Sequence, residues 1–389
     1  MVRPRGPRRR RRPPDGRHDQ RLEARTAALR PGLGGTHMDH RELARRDLLA
    51  PGLALPLAAA ASRAIADAPG PEAGPFEVAT VERMDLVDPD QGRTIATRAY
   101  YPAKPGRYPV IIFSHGFGGS LVIFGNTGKV WASHGYVVLH PTHADSLAMM
   151  DPTVPATDAD VMRRFRAARG GEGGADPALA RAFVKVLDDP FFINNRLRDV
   201  SYLMHALKTP KAGLAPAVLE RADTSRIGMS GHSFGAYTTL VIAGSALMPP
   251  AAAAVPTGFA GFLSMSGQGP GRMWLTDDSF KTIAKPFMAT TGTRDFGAAG
   301  ETPPWRLKPY DLSPPGRKYA IVVDGFRHTD FDPAPGDPEM GARGAQLRKY
   351  QLEFWDSVLK SDRAAQASLA SQAEGSKQTD PVWLRARLA

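Results

Sequence analysis

Arg226-Ile227-Gly228-Met229-Ser230-Gly231-His232-Ser233-Phe234-Gly235-Ala236 is the stretch whose reading decides the fold. It holds a G-x-S-x-G motif, with a strand signal before it and a helix signal after it. Ile227 to Ser230 read as a short buried strand. From Ala236 onward Tyr237, Leu240, Val241 and Ala243 read as a helix rich in small residues. A serine between such elements sits on a turn too sharp for ordinary backbone, and Gly231 and Gly235 leave room for it. Ser233 then presents its hydroxyl at a helix N-terminus, where backbone N–H groups and the helix dipole favour developing negative charge.

Working outward, the chain alternates strands and helices. Phe76 to Met84 and Arg93 to Tyr101 flank the turn signal Asp88-Pro89-Asp90-Gln91-Gly92 and read as an antiparallel hairpin at a sheet edge. Tyr108 to Phe113 is a continuous apolar run, as expected of a strand buried on both faces. A helix near Gly128 to Ser133 and a strand over Tyr136 to His140 follow. Later strands are expected at Gly261 to Ser264, Pro286 to Thr291 and Lys318 to Val323, with a last helix at about Gly344 to Lys360. Such alternation predicts an α/β fold, a mostly parallel central sheet flanked by helices.

Two regions interrupt it. Residues 145–190 form a long insertion with Gly170-Gly171-Glu172-Gly173-Gly174 at its middle, read either as a cap with a flexible centre or as a solvated excursion. Residues 296–315 are Pro-rich, contain Trp305 and are expected to line the pocket.

A nucleophilic serine needs a base for its proton and an acid to orient that base. On a sheet of this kind the chain order is serine, acid, histidine. Asp295 follows the Pro286–Thr291 strand, at the end where parallel sheets place functional groups. His328 is the one histidine after Ser233, and it follows the Lys318–Val323 strand. Asp324, Asp330 and Asp332 compete for the acid role but share the histidine's own loop. Two backbone donors must face the carbonyl oxygen as it becomes negative. The N–H of Phe234 is one. The N–H of Phe117, in the loop His115-Gly116-Phe117-Gly118-Gly119, is the other. His115 and His232 flank these turns and read as packing or hydrogen-bonding residues. His140 and His143 form a His-x-x-His pair without an acidic partner spaced to complete a metal site. The serine chemistry calls for no metal and no cofactor.

Phe113-Ser114-His115-Gly116-Phe117-Gly118-Gly119, Ala132-Ser133-His134-Gly135-Tyr136-Val137-Val138, the elbow and the helix Asn195 to Val200 together resemble the α/β-hydrolases related to platelet-activating-factor acetylhydrolase and to dienelactone-hydrolase-like enzymes with serine. The likeness runs from about Phe76 to Lys360. It implies an α/β-hydrolase fold, Ser233, Asp295 and His328 as triad, Phe117 and Phe234 as oxyanion donors, and a small-molecule or lipid-like ester as substrate. Dienelactone hydrolases themselves use cysteine, so their substrate is not implied. A pocket bordered by Phe117, Phe234 and Trp274 or Trp305 would suit short acyl chains or aromatic esters. The alternatives are a lipase, polyester hydrolase or peptidase of the same fold, or a non-catalytic binding module.

The chain has 389 residues, a formal charge of +11 and no cysteine. Disulfides, thiolate metal sites and a cysteine nucleophile are thereby excluded. Eleven Arg against three acidic residues fall in 1–37, so that segment carries most of the excess charge and the remaining residues only +3. This Arg/Pro-rich stretch cannot bury a core. It is expected to be an over-extended reading frame, and no nucleic-acid partner is expected from it. Residues 38–68 combine a charged start, the pair Arg45-Arg46, an apolar run over Ala50 to Ala61 and Ala66-Asp67-Ala68. That is the order of a signal peptide of twin-arginine type, with export by Tat or Sec machinery to the periplasm or medium. Residues 69–389 then form the catalytic domain.

Overall fold

The computed structural model describes residues 72–150, 187–248, 250–297, 300–338 and 340–389. The expectations placed on 1–37, on 38–68 and on most of the 145–190 insertion lie outside the described residues.

A nine-stranded sheet organises the domain. Its strands are β1 (Val78–Asp88), β2 (Arg93–Pro102), β3 (Tyr108–Ser114), β4 (Val137–Pro141), β5 (Ala222–His232), β6 (Phe259–Met265), β7 (Phe287–Arg294), β8 (Lys318–Arg327) and β9 (Val382–Arg387). They lie in the order β1-β2-β4-β3-β5-β6-β7-β8-β9. From β4 to β8 every pairing is parallel. β2 and β9 run antiparallel to their neighbours. The helices are α1 (Gly125–Ser133), α2 (Leu147–Met150), α3 (Pro190–Ala206), α4 (Pro216–Arg221), α5 (Phe234–Ile242), α6 (Pro303–Arg306), α7 (Lys308–Leu312), α8 (Gly341–Leu359) and α9 (Arg363–Gly375). This is the mostly parallel, helix-flanked sheet that the alternation predicts, and the expected edge hairpin is β1–β2.

The strand β3 shows why its sequence is a continuous apolar run. Val110 and Ile112 belong to one core cluster, with Leu197, Val200 and Leu203 of α3 and Leu240 of α5. Ile111 and Phe113 belong to the other, with Trp131 of α1 and Phe354 and Trp355 of α8. Adjacent residues thus bury opposite faces of a sheet covered on both sides. At Gly228 on β5 an added Cβ would lie 2.5 Å from the Trp355 ring, so the indole is seated against bare backbone.

One boundary expectation is corrected. The helix expected to be last is α8, but α9 and β9 follow it, and β9 closes the far edge of the sheet on β8. Asp362 caps α9 through the amides of Ala364 and Ala365. The helix buries only Ala365 and Leu369, which leaves little apolar periodicity to read.

The sheet order positions the site. From β3 the chain leaves to one side for β4, then crosses to the other side for β5, which pairs with β3. Loops leaving the carboxyl ends of two such strands part in opposite directions and leave a crevice between them. The loop after β3 carries Phe117 and the turn after β5 carries Ser233.

Candidate active site

Ser233 sits between β5 and α5 with φ 54° and ψ −116°. That conformation costs a non-glycine residue on the order of 1–3 kcal/mol and persists because its surroundings enforce it. Its amide donates to Met265 O at 3.0 Å, and its carbonyl accepts from the Tyr237 amide at 3.0 Å. The flanking glycines are needed for close approach. A Cβ on Gly235 would lie 1.8 Å from Ser114 O, and one on Gly231 would lie 2.3 Å from Gly235 O. Elbow, helix start and the end of β3 are therefore pressed together backbone to backbone.

The structure brings the three expected side chains into one line. Ser233 Oγ is 2.9 Å from His328 Nε2, and His328 Nδ1 is 2.9 Å from Asp295 Oδ1. Asp295 is fully buried and Ser233 is 4% exposed, while the His328 side chain retains partial exposure. Burial alone would raise the Asp295 carboxyl. Hydrogen bonding to His328, the charges of His328 and Arg306 and a bond from Ser266 outweigh it and hold the group well below the usual carboxylate range.

The competing carboxylates are engaged elsewhere. Asp332 accepts from the amide and hydroxyl of Thr127, both at 2.7 Å, and burial pushes it up to about 6. Asp330 accepts from the Arg327 amide at 2.8 Å, and Asp324 accepts from Thr293 Oγ1 at 2.9 Å.

Three residues around Asp295 were not singled out from the sequence. Ser266, after β6, donates to Asp295 Oδ1 at 2.9 Å, and its Oγ lies 2.6 Å from His328 Nδ1. Thr291 Oγ1 donates to Asp295 Oδ2 at 2.9 Å. Arg306 places Nε 3.0 Å from Asp295 Oδ1. Arg306 lies in the Pro-rich region expected to line the pocket. Trp305 beside it is half-buried and donates from Nε1 to Pro270 O at 2.8 Å.

The loop expected to carry the second oxyanion donor lies against the nucleophile. A Cβ on Gly116 would come within 3.3 Å of Ser233 Cβ. The Gly119 amide turns back to Gly116 O at 3.0 Å, and the Gly118 amide donates to Asp145 O at 3.2 Å. Phe117, between them, is half-buried. Phe234 is the first residue of α5, and its side chain does not border a pocket as expected. It is fully buried, stacked near Tyr237 and covered by the Arg196 guanidinium at 4.4 Å. Trp274 instead lines a cavity of about 400 Å³ with Asp188, Met248 and residues 271–276, away from the three aligned side chains.

Behind the loop lies a buried polar network. Arg196 donates to both oxygens of Asp145, at 2.8 and 2.7 Å, and to Ser114 Oγ and His115 O at 3.0 and 2.8 Å. His143 receives Ser114 Oγ on Nε2 at 2.8 Å and gives Nδ1–H to Asp199 at 2.7 Å. The His143 amide donates to His115 Nε2 at 2.9 Å. Burial holds His115 down to about 4, and His143 well below its ordinary value. His140 accepts no charge either: burial lowers it to about 3, and its Nδ1 faces Ile123 O. The His-x-x-His pair is thus part of the scaffold. His232, expected to bond or pack, holds His328 O at 2.6 Å through Nε2 and tilts against the His328 ring. No group of three or more metal-binding side chains occurs among the described residues.

Residues 74–161 match the family model described as platelet-activating factor acetylhydrolase, isoform II. A curated relative, the platelet-activating factor acetylhydrolase of Cavia porcellus, is 28% identical over 156 residues, covering 36% of this chain and 33% of the relative. The chain therefore spans about a third of the length of the curated relative it matches. Both similarities point to the same acetylhydrolase branch of the α/β-hydrolases as the sequence motifs. The family match takes in the hairpin, β3 and the Gly116–Gly119 loop, and ends before Ser233.

Proposed function

We propose that this chain is a serine hydrolase of carboxylic esters that works through an acyl-enzyme. The observation that carries the reading is the unbroken line Ser233–His328–Asp295, begun on a strained elbow. In this account Ser233 Oγ attacks the ester carbonyl while its proton passes to His328 Nε2. Asp295 holds Nδ1–H and stabilises the imidazolium. The N–H groups of Phe117 and Phe234 receive the oxyanion, and such a donor is worth about 10²–10³ in rate. When the intermediate collapses, the C–O bond to the leaving group breaks and His328 protonates the departing alkoxide. Water, deprotonated by His328, then attacks the acyl-serine and releases the acid and free Ser233.

The substrate class we propose is a small or lipid-like ester with a short acyl group. It draws on the acetylhydrolase likeness of the first part of the chain. A chain-length series of p-nitrophenyl esters tests it, beside a phospholipid bearing an acetyl group. Highest kcat/KM at two to four acyl carbons supports the reading, and preference for long chains or peptides rejects it. We also propose export, from the order of charged, apolar and Ala-x-Ala segments in 38–68. Among the described residues no helix is long and apolar enough to cross a membrane. Full-length precursor confined to the cytoplasm of the native host would reject export.

A further inference from the structure

Arg306 is a buried cation placed behind the triad acid. Only 3% of its side chain is exposed. Nε lies 3.0 Å from Asp295 Oδ1 and donates to Asp295 O at 3.1 Å. Nη1 donates to Ser266 O at 3.1 Å and to Gly267 O at 3.2 Å. One guanidinium therefore ties the loop after β6 to the end of β7, and those two segments carry both groups that touch His328 Nδ1. The chain builds the short helix α6 to deliver it: Thr302 caps the helix, Pro303 starts it and Arg306 ends it.

The electrostatic consequence has a definite sign. A carboxylate beside an imidazole favours the imidazolium, because opposite charges at close range stabilise the charged form. A cation 3.0 Å behind that carboxylate cancels part of the attraction. Both members of that pair are buried, so salt screens their interaction weakly. Among the described residues, Asp295 after β7 and His232 from β5 contact His328, and Arg327 and Asp330 share its loop. Arg327 and Asp330 engage each other through the Arg327 amide, and His232 contacts the His328 carbonyl. Arg306, with its guanidinium against the Asp295 carboxylate, is placed to oppose it.

We propose that Arg306 is a positioning residue that holds Asp295 and Ser266 in register and keeps His328 neutral, and so competent as a base, to lower pH than an Asp–His pair alone would. The inference rests on the hydrolase reading above. Its test is the pH dependence of kcat/KM for p-nitrophenyl acetate, and of the rate of fluorophosphonate labelling, in wild type, Arg306→Met and Arg306→Lys. Circular dichroism at each pH confines the comparison to the range in which every variant is folded, so acid unfolding is not read as a shifted limb. In Arg306→Met the acid limb moves up by about one pH unit, because the uncompensated carboxylate makes His328 more basic. In Arg306→Lys, which restores a cation, it returns toward the wild-type position. If Arg306→Met yields no folded protein, Arg306→Gln carries the same test, since its amide still reaches for the carbonyls. An acid limb that stays put, or moves down, in the folded neutral variant overturns the proposal while leaving the triad intact. Wild type that neither labels nor turns over an ester defeats the hydrolase reading itself, and this inference with it.

Discussion

Arg196→Met is the perturbation whose consequence follows most directly from the buried network. Arg196 and Asp145 have no exposed side-chain surface, and both guanidinium contacts to the carboxylate are under 3 Å. Methionine keeps much of the volume but takes away the guanidinium bonded to Asp145, leaving the carboxylate only the field of Arg93. Breaking one side of a buried pair typically costs about 3–5 kcal/mol. Ser114 Oγ and His115 O also lose a donor, although Ser114 keeps His143. We therefore expect a loss near the top of that range, read as the shift of the urea midpoint at unchanged slope. The partner change separates charge from packing. Asp145→Asn in the Arg196→Met background removes the stranded charge and should recover roughly half of the loss. Because Arg196 also holds His115 O and covers Phe234, labelling of Ser233 should slow in the single variant even where it remains folded. A loss below about 1 kcal/mol, or no recovery in the double variant, would refute the reasoning.

Three further outcomes are expected. Gly235→Ala sets a methyl 1.8 Å from Ser114 O, a backbone atom that cannot swing aside, so the protein should give little folded material by circular dichroism; a folded variant that labels normally would contradict this. Asp295→Asn keeps the shape of the side chain and can still accept from Thr291 or Ser266 through its one carbonyl oxygen, so it should fold, but kcat should fall by about 10⁴ as His328 loses its orienting charge. Stability should also fall as pH drops below about 6.5. His115 and His140 are held by burial at about 4 and about 3, and His143 well below its ordinary value, so the unfolded chain binds more protons there. Each contributes up to about 1.4 kcal/mol per pH unit. Asp332, raised to about 6, opposes them between about 4 and 6, but it is one group against three. Thermal unfolding midpoints that stay level from pH 6.5 to 4.5 would show the histidines are not held neutral.

Much of the site could be read from the sequence because its parts sit where local chemistry announces them. The glycines of the elbow mark positions where an added Cβ would lie 1.8 and 2.3 Å from backbone oxygens, so no other residue fits there. Asp295 and His328 follow strands whose apolar runs are long enough to recognise. What could not be read is what the fold brings in from a distance. Ser266 and Arg306 meet Asp295 from two other segments, and nothing in their spacing marks the meeting, while Thr291 lies only four residues before it on the preceding strand. The signal that existed for Arg306 was Thr302-Pro303-Pro304, a helix start in a region taken as irregular. Arg196 and Asp199 fell within a helix recognised by likeness, but a buried arginine is invisible until the surface it faces is known. The side chain of Phe234 was assigned to the pocket for the same reason: its backbone role was legible, while its stacking beneath Arg196 depended on a helix 38 residues earlier.

The central claim is that Ser233 is an activated nucleophile. Purified protein treated with a fluorophosphonate probe and mapped by mass spectrometry tests it, beside folded Ser233→Ala and His328→Ala. The account predicts one adduct, on Ser233, with labelling lost in both variants. An adduct elsewhere, or none on folded wild type, would contradict it.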